Sequence, residues 1–199
     1  ASREVLQSDW LTQGPKVTEF EQALAAYVQA PHAVVCANGT AALHAACAAL
    51  GLGPGDELWK SPNSFVASAN CGLYLGAKVD FIDIDPVTRN LCPRQLAAKL
   101  AAGRVPKIVV AVHFAGVACD MPAIFALAQQ YGFYVVEDAA HAIGTRVNGV
   151  PVGACQFSHA TCFSFHPVKN FTTGEGGAIT AADAEIALRV RRFVTHGIT

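Results

Sequence analysis

Residues 106–142, PKIVVAVHFAGVACDMPAIFALAQQYGFYVVEDAAHA, decide the fold. Lys107–His113 is a short apolar run of strand length. In the segment that follows, Met121, Ile124, Leu127, Ala128 and Tyr131 recur at helical spacing, which predicts a helix over Pro122–Tyr131. Phe133–Glu137 is a second apolar run. Strand, helix and strand in so little chain form a crossover unit, the repeating element of an α/β sheet covered by helices.

The same alternation extends in both directions. Strands are expected at Ala33–Cys36, Glu57–Lys60, Val79–Ile84, Ala160–Phe165 and Gly177–Thr180, and helices at Thr40–Leu50, Phe65–Leu75, Arg94–Ala101 and Ala184–Val194. The first helix is read as Thr18–Gln29. There Thr18 and Glu21 have the spacing of a capping box, and Val17, Phe20, Leu24 and Val28 share one face. No repeat, linker or low-complexity stretch interrupts the pattern, so residues 1–199 are expected to form one domain. The last helix is barely finished where the sequence stops, and the chain is expected to continue.

Composition narrows the function. With 199 residues, 52% hydrophobic and 15% charged, the chain can bury a substantial core. A net charge of -1 with scattered Lys and Arg leaves no basic stripe for a phosphate backbone, which argues against nucleic acid. No run of 18 apolar residues appears, and Ala1–Trp10 lacks the features of a signal peptide, so a cytoplasmic location is expected. The seven cysteines are odd in number and never spaced CxxC. Buried free thiols are expected, with no metal and no disulfide.

Three elements carry chemistry. Asn38-Gly39-Thr40-Ala41-Ala42 lies where a strand turns into a helix, so its free N–H groups could hold a phosphate. An ordinary glycine turn explains the same residues. Asp138 follows the run Phe133–Val136, near the carboxyl end of a strand, where open α/β sheets bind ligands. A carboxylate there can keep a pyridine nitrogen protonated, although a helix cap or surface acid fits equally. His141 is read either as a ring contact or as a structural histidine. Ser164-Phe165-His166-Pro167-Val168-Lys169-Asn170 runs directly into Thr172-Thr173-Gly174-Glu175-Gly176-Gly177. A partly desolvated lysine held in such a turn is suited to imine formation and proton transfer, and Ser164 can offer a hydroxyl to the same phosphate. The bland alternative for Lys169 is a solvated loop charge.

From Ser8-Asp9-Trp10-Leu11-Thr12-Gln13-Gly14-Pro15 through NGTAALHA, SPNSFVASAN, DIDP, VHFAG, EDAAHAIGT and SFHPVKNFTTGEGGAIT, the order and spacing of motifs resemble the DegT/StrS family of sugar aminotransferases. That resemblance implies a pyridoxal-phosphate-dependent transferase of fold type I, here its large cofactor-binding domain, with a mostly parallel central sheet and helices on both faces. A smaller C-terminal domain is implied beyond it. The motifs, with the terminal Thr195-His196-Gly197-Ile198-Thr199, are most similar to the transaminases of pseudaminic acid synthesis, and the transaminases making 4-amino-4-deoxy-L-arabinose are the competing match.

By position, the resemblance implies that Thr40 and Ala41 hold the cofactor's phosphate through backbone groups, helped by Ser164. Phe65 would stack on the pyridine ring, Asp138 would pair with the ring nitrogen, and His141 would lie beside the ring. Lys169 would carry the Schiff base, with His166 and Asn170 supporting its turn. The activity implied is transfer of an amino group from L-glutamate to a nucleotide-linked 4-keto sugar of the UDP-4-keto-6-deoxy-HexNAc type, in a homodimer with shared sites. A sugar dehydratase of the same fold would have histidine in place of Lys169, and a non-catalytic binding or regulatory module would not need Lys169 or Asp138. A dinucleotide site would require a GxGxxG after the first strand, which is absent.

Overall fold

The computed structural model describes residues 2–198; Ala1 and Thr199, the ends of two stretches quoted above, lie outside the described residues. A seven-stranded sheet organises the chain. Its strands are β1 (His32–Cys36), β2 (Glu57–Lys60), β3 (Lys78–Phe81), β4 (Ile108–Val112), β5 (Tyr134–Asp138), β8 (Ala160–Ser164) and β9 (Gly177–Ala181), in the order β1-β9-β8-β5-β4-β2-β3. The pairs β2–β3, β2–β4, β4–β5 and β5–β8 are parallel, while β9 is antiparallel to both β8 and β1. The carboxyl ends of β1, β2, β4, β5 and β8 therefore share one edge of the sheet.

Helices cover both faces because side chains alternate along each strand. Val110, Val112 and Val136 face α3 (Gly39–Ala49), α4 (Ala67–Leu73) and α7 (Ala184–Val194), packing with Leu43, Cys47, Cys71 and Val190. Val109, Ala111 and Val135 face the other way, against Leu96 and Leu100 of α5 (Pro93–Ala101) and Met121, Ile124 and Ala128 of α6 (Met121–Tyr131). Leu24 and Val28 of α2 (Pro15–Val28) close a third cluster on Phe163 and Phe165. All seven cysteines are free thiols; six are buried and Cys36 is half-buried.

The first helix corrects the sequence reading. Pro15 opens α2 with Gly14 as its N-cap, and no side chain caps it. Thr18 and Glu21 thus lie one turn inside the helix. Glu21 is buried and accepts from the Val35 N–H at 2.9 Å and from Arg191 at 2.8 Å. Proline at the first helical position loses only an N–H that would be unpaired anyway, which is why α2 starts earlier than the capping pattern suggests. The expected strand Val79–Ile84 ends at Phe81, with Ile84 making an isolated bridge to Leu91. Three short elements carry no sequence periodicity long enough to read: α1 (Ser2–Leu6), a 3-10 turn at Phe114–Gly116, and the hairpin of β6 (Arg146–Val147) and β7 (Val150–Pro151).

Candidate active site

The shared carboxyl edge opens into a cavity of about 480 Å³, whose walls include Thr40, Phe65, Asp138, His141, Ser164, His166 and Lys169. The crossovers gather there residues as far apart in sequence as Asn38 and Glu175. Each arrives for a local reason.

Asn38 caps α3: its Oδ1 accepts from the Ala41 N–H at 2.8 Å. The N–H groups of Gly39 and Thr40, in the first turn, have no carbonyl of their own helix to bond. An anion at this end meets those two donors and the helix dipole. Gly39 is required by packing. A Cβ built on it would stand 2.7 Å from Ser164 Cβ and 3.1 Å from Ser164 Oγ, so the hydroxyl that ends β8 lies against the start of α3. Gly177 is tighter still, since its Cβ would meet the Asn38 carbonyl oxygen at 2.3 Å. Two glycines thus let β1, α3, β8 and β9 close into one cradle.

Asp138, also on the cavity wall, ends β5 and is 6% exposed. Its Oδ2 accepts from Ser68 Oγ at 2.5 Å and its Oδ1 from the Ala140 N–H at 3.2 Å. Lys169 Nζ lies 3.0 Å from His141 Nε2. Burial, then the Lys169 cation, lower the His141 pKa, against the pull of Asp138. A neutral imidazole can therefore accept from the Lys169 ammonium. Phe65 stands at the mouth, 73% exposed. The exposed carboxylate of Glu175 lies 3.8 Å from His166 on the same rim.

Ala41, an expected phosphate contact, and Asn170, an expected support of the lysine turn, do not line this cavity. Ala41 has its N–H committed to Asn38, so the open donors are those of Gly39 and Thr40. Asn170 instead borders a separate groove with Phe20, Tyr27 and Phe171. Sequence reasoning missed Ser68, whose partner is 70 residues away. It also missed Lys60, a buried amine whose partner is the Ser64 hydroxyl on the cavity wall and whose pKa burial lowers. Neither carries a local signal. Among the described residues no cluster of three or more His, Cys, Asp or Glu could hold a metal, and no helix is long and apolar enough to cross a membrane.

The donor set suits a phosphorylated pyridine aldehyde. Anion donors, a buried carboxylate and a primary amine beside a neutral imidazole all line the one cavity.

A sequence model of the DegT/DnrJ/EryC1/StrS aminotransferase family matches residues 1–199. The chain is similar to the spore coat polysaccharide biosynthesis protein SpsC of Bacillus subtilis (strain 168), 46% identical over 196 residues, covering 98% of this chain and 49% of that protein. It is also similar to the UDP-4-amino-4-deoxy-L-arabinose--oxoglutarate aminotransferase of Shewanella sediminis (strain HAW-EB3), 40% identical over 199 residues, or 100% of this chain and 50% of that one. Among solved structures it resembles Helicobacter pylori PseC, an aminotransferase involved in the biosynthesis of pseudoaminic acid, with a TM-score of 0.90 and 32% identity over 98% of this chain and 52% of that chain. The chain spans about half the length of the curated relatives it matches.

Proposed function

The chain belongs to the DegT/DnrJ/EryC1/StrS aminotransferase family, and from that premise we propose that the whole protein moves an amino group from L-glutamate to a nucleotide-linked 4-keto sugar, using pyridoxal 5'-phosphate. The observation that carries this reading is the convergence of Lys169, Asp138, Ser164 and the α3 N-terminus on one cavity. Residues 1–199 are the cofactor-binding large domain, and the working unit is a cytoplasmic homodimer with shared sites.

Bound pyridoxal phosphate supplies an electron sink for a substrate carbanion and a carbon that carries the amine between half-reactions. The chain's own residues do the rest. The N–H groups of Gly39 and Thr40, with Ser164 Oγ, hold the phosphate. Asp138, fixed by Ser68 and the Ala140 N–H, keeps a proton on the ring nitrogen. Phe65 covers the ring from the mouth. Lys169 Nζ would hold the cofactor at its aldehyde carbon and, as a free amine, would take a proton from the α-carbon of L-glutamate. His141 Nε2, 3.0 Å away, receives a proton from that amine when it must be neutral.

For the sugar, we favour a UDP-4-keto-6-deoxy-HexNAc of the pseudaminic acid type, supported by the likeness to PseC over 98% of the chain. The arabinose relative, at 40% identity, supports a UDP-4-amino-4-deoxy-L-arabinose activity as the second reading. The test loads the full-length protein with pyridoxal phosphate, reduces it with borohydride, and maps the labelled peptide. Label on Lys169 is the expected result; folded protein without it overturns the aminotransferase reading in favour of a binding module. Turnover of each keto sugar with L-glutamate then separates the two substrates.

A further inference from the structure

On the face of the sheet opposite Asp138 lies a buried polar network that the proposed chemistry does not use. Glu137, next to Asp138 but pointing the other way, is 4% exposed. Its Oε2 lies 2.8 Å from His113 Nε2, and its Oε1 accepts from Ser158 Oγ at 2.5 Å and Thr161 Oγ1 at 2.8 Å. His113 is 1% exposed, and its Nδ1 accepts from the Cys119 N–H at 3.1 Å. Burial opposes a charged His113 ring and the Glu137 carboxylate favours it. The N–H aimed at Nδ1 leaves no room for a second proton there, so we assign the neutral tautomer that donates from Nε2 to Glu137. Burying an ionised carboxylate is costly unless both oxygens find hydrogen-bond partners, as they do here.

The network grips both ends of the loop from β4 to α6. His113 begins this loop and Cys119 ends it, and the Cys119 thiol also donates to the Val112 carbonyl at 3.2 Å. Between them, Ala115 (φ 52°) and Gly116 (φ 83°) are both left-handed. The backbone of Gly116 presses on the turn that carries His141: a Cβ there would stand 2.9 Å from the His141 carbonyl oxygen. Thr145, at the end of that turn, donates from Oγ1 to the Gly116 carbonyl at 2.8 Å. A continuous path of contacts thus runs from Glu137 through the loop to the residue that meets Lys169.

We propose that Glu137 and His113 are positioning residues that clamp the β4–α6 loop, so that Gly116 holds the His141 turn where Nε2 reaches Lys169 Nζ. Their link to catalysis rests on the aminotransferase reading; the geometric claim does not. A strained loop backbone persists only where its surroundings over-determine it, and the buried network supplies that constraint from the far side of the sheet.

The test follows the His141 ring by NMR titration in the cofactor-free full-length protein, with Glu137→Gln, Gly116→Ala and Thr145→Val compared with wild type. The charged groups facing His141 are Lys169 and Asp138, with Lys169 the larger influence. When His141 retreats from Lys169, its titration should move up toward that of an ordinary histidine. The shift is expected in all three variants, smallest for Thr145→Val, which loses one hydroxyl and creates no clash. Should the two harsher variants fail to fold, Thr145→Val alone decides. Folded variants whose His141 titrates as in wild type overturn the proposal. A shifted His141 in a protein whose Lys169 takes no pyridoxyl label would sink the aminotransferase reading and leave the clamp standing.

Discussion

Gly39→Ala tests the phosphate cradle most directly. Alanine at the first position of α3 would gain helix propensity, about 1 kcal/mol at most. Against this, its Cβ would stand 2.7 Å from Ser164 Cβ, 0.7 Å short of the 3.4 Å at which ordinary contact begins. Ser164 cannot retreat freely, because β8 is paired to β5 on one side and, through Gly177, to β9 on the other. Overpacking of this kind costs about 1–3 kcal/mol, so with the helix gain subtracted stability should fall by about 0–2 kcal/mol net. Affinity should fall further. A hydroxyl bonded to a charged phosphate is worth about 1.5–3 kcal/mol, which corresponds to about 10- to 150-fold in Kd. Absorbance titration of full-length protein with pyridoxal phosphate would read this, with urea unfolding as the stability control. Ser164→Ala should lose a similar factor, and the double variant should lose less than the product of the two, because both remove the same hydroxyl contact. If Gly39→Ala binds as tightly as wild type, phosphate is not held between α3 and β8.

Two further outcomes follow from the same geometry. Burial raises the Glu137 pKa, but His113, Ser158 and Thr161 outweigh it and the net shift is downward. A depressed carboxyl contributes stability that is present above its unfolded value and lost as pH falls through its folded one. Urea unfolding midpoints should therefore drop more steeply on acidification in wild type than in Glu137→Gln, and equal slopes would contradict an ionised Glu137 carboxylate. The start of α2 can be checked by pairing Thr18→Ala with Arg191→Ala. If Thr18 capped the helix its loss would cost about 1 kcal/mol, whereas inside the helix it should stay within about 0.5 kcal/mol. Removing Arg191, which is 45% exposed, leaves the buried Glu21 carboxylate with only the Val35 N–H, at a cost of about 3 kcal/mol. Denaturant midpoints that reverse this order would restore the capping box.

Much of the frame was legible because burial imposes period. The run at Ile108–Val112 is apolar on both faces, as a strand sandwiched between helices must be, and both it and Tyr134–Asp138 end within one residue of where the sequence placed them. The helix Ala184–Val194 was read to the residue. Glycine-rich turns and the placement of Asp138 at a strand end were legible for the same reason: both are local. The misreading at the start of α2 has a distant cause. Thr18 and Glu21 have the right spacing for a cap, but spacing cannot tell that Glu21 is buried beneath Arg191, 170 residues away.

Residue type and spacing within a few neighbours were enough to read the α/β class, most element positions and the candidacy of Lys169, Asp138, Ser164 and Thr40. Only the tertiary structure decided that Ala41 spends its N–H on Asn38, that Asn170 faces another groove, that Ser68 fixes Asp138, and that Glu137 and His113 brace the loop beneath His141. Those contacts join residues whose separation in sequence is set by the crossovers, and a crossover leaves no mark on the residues it brings together.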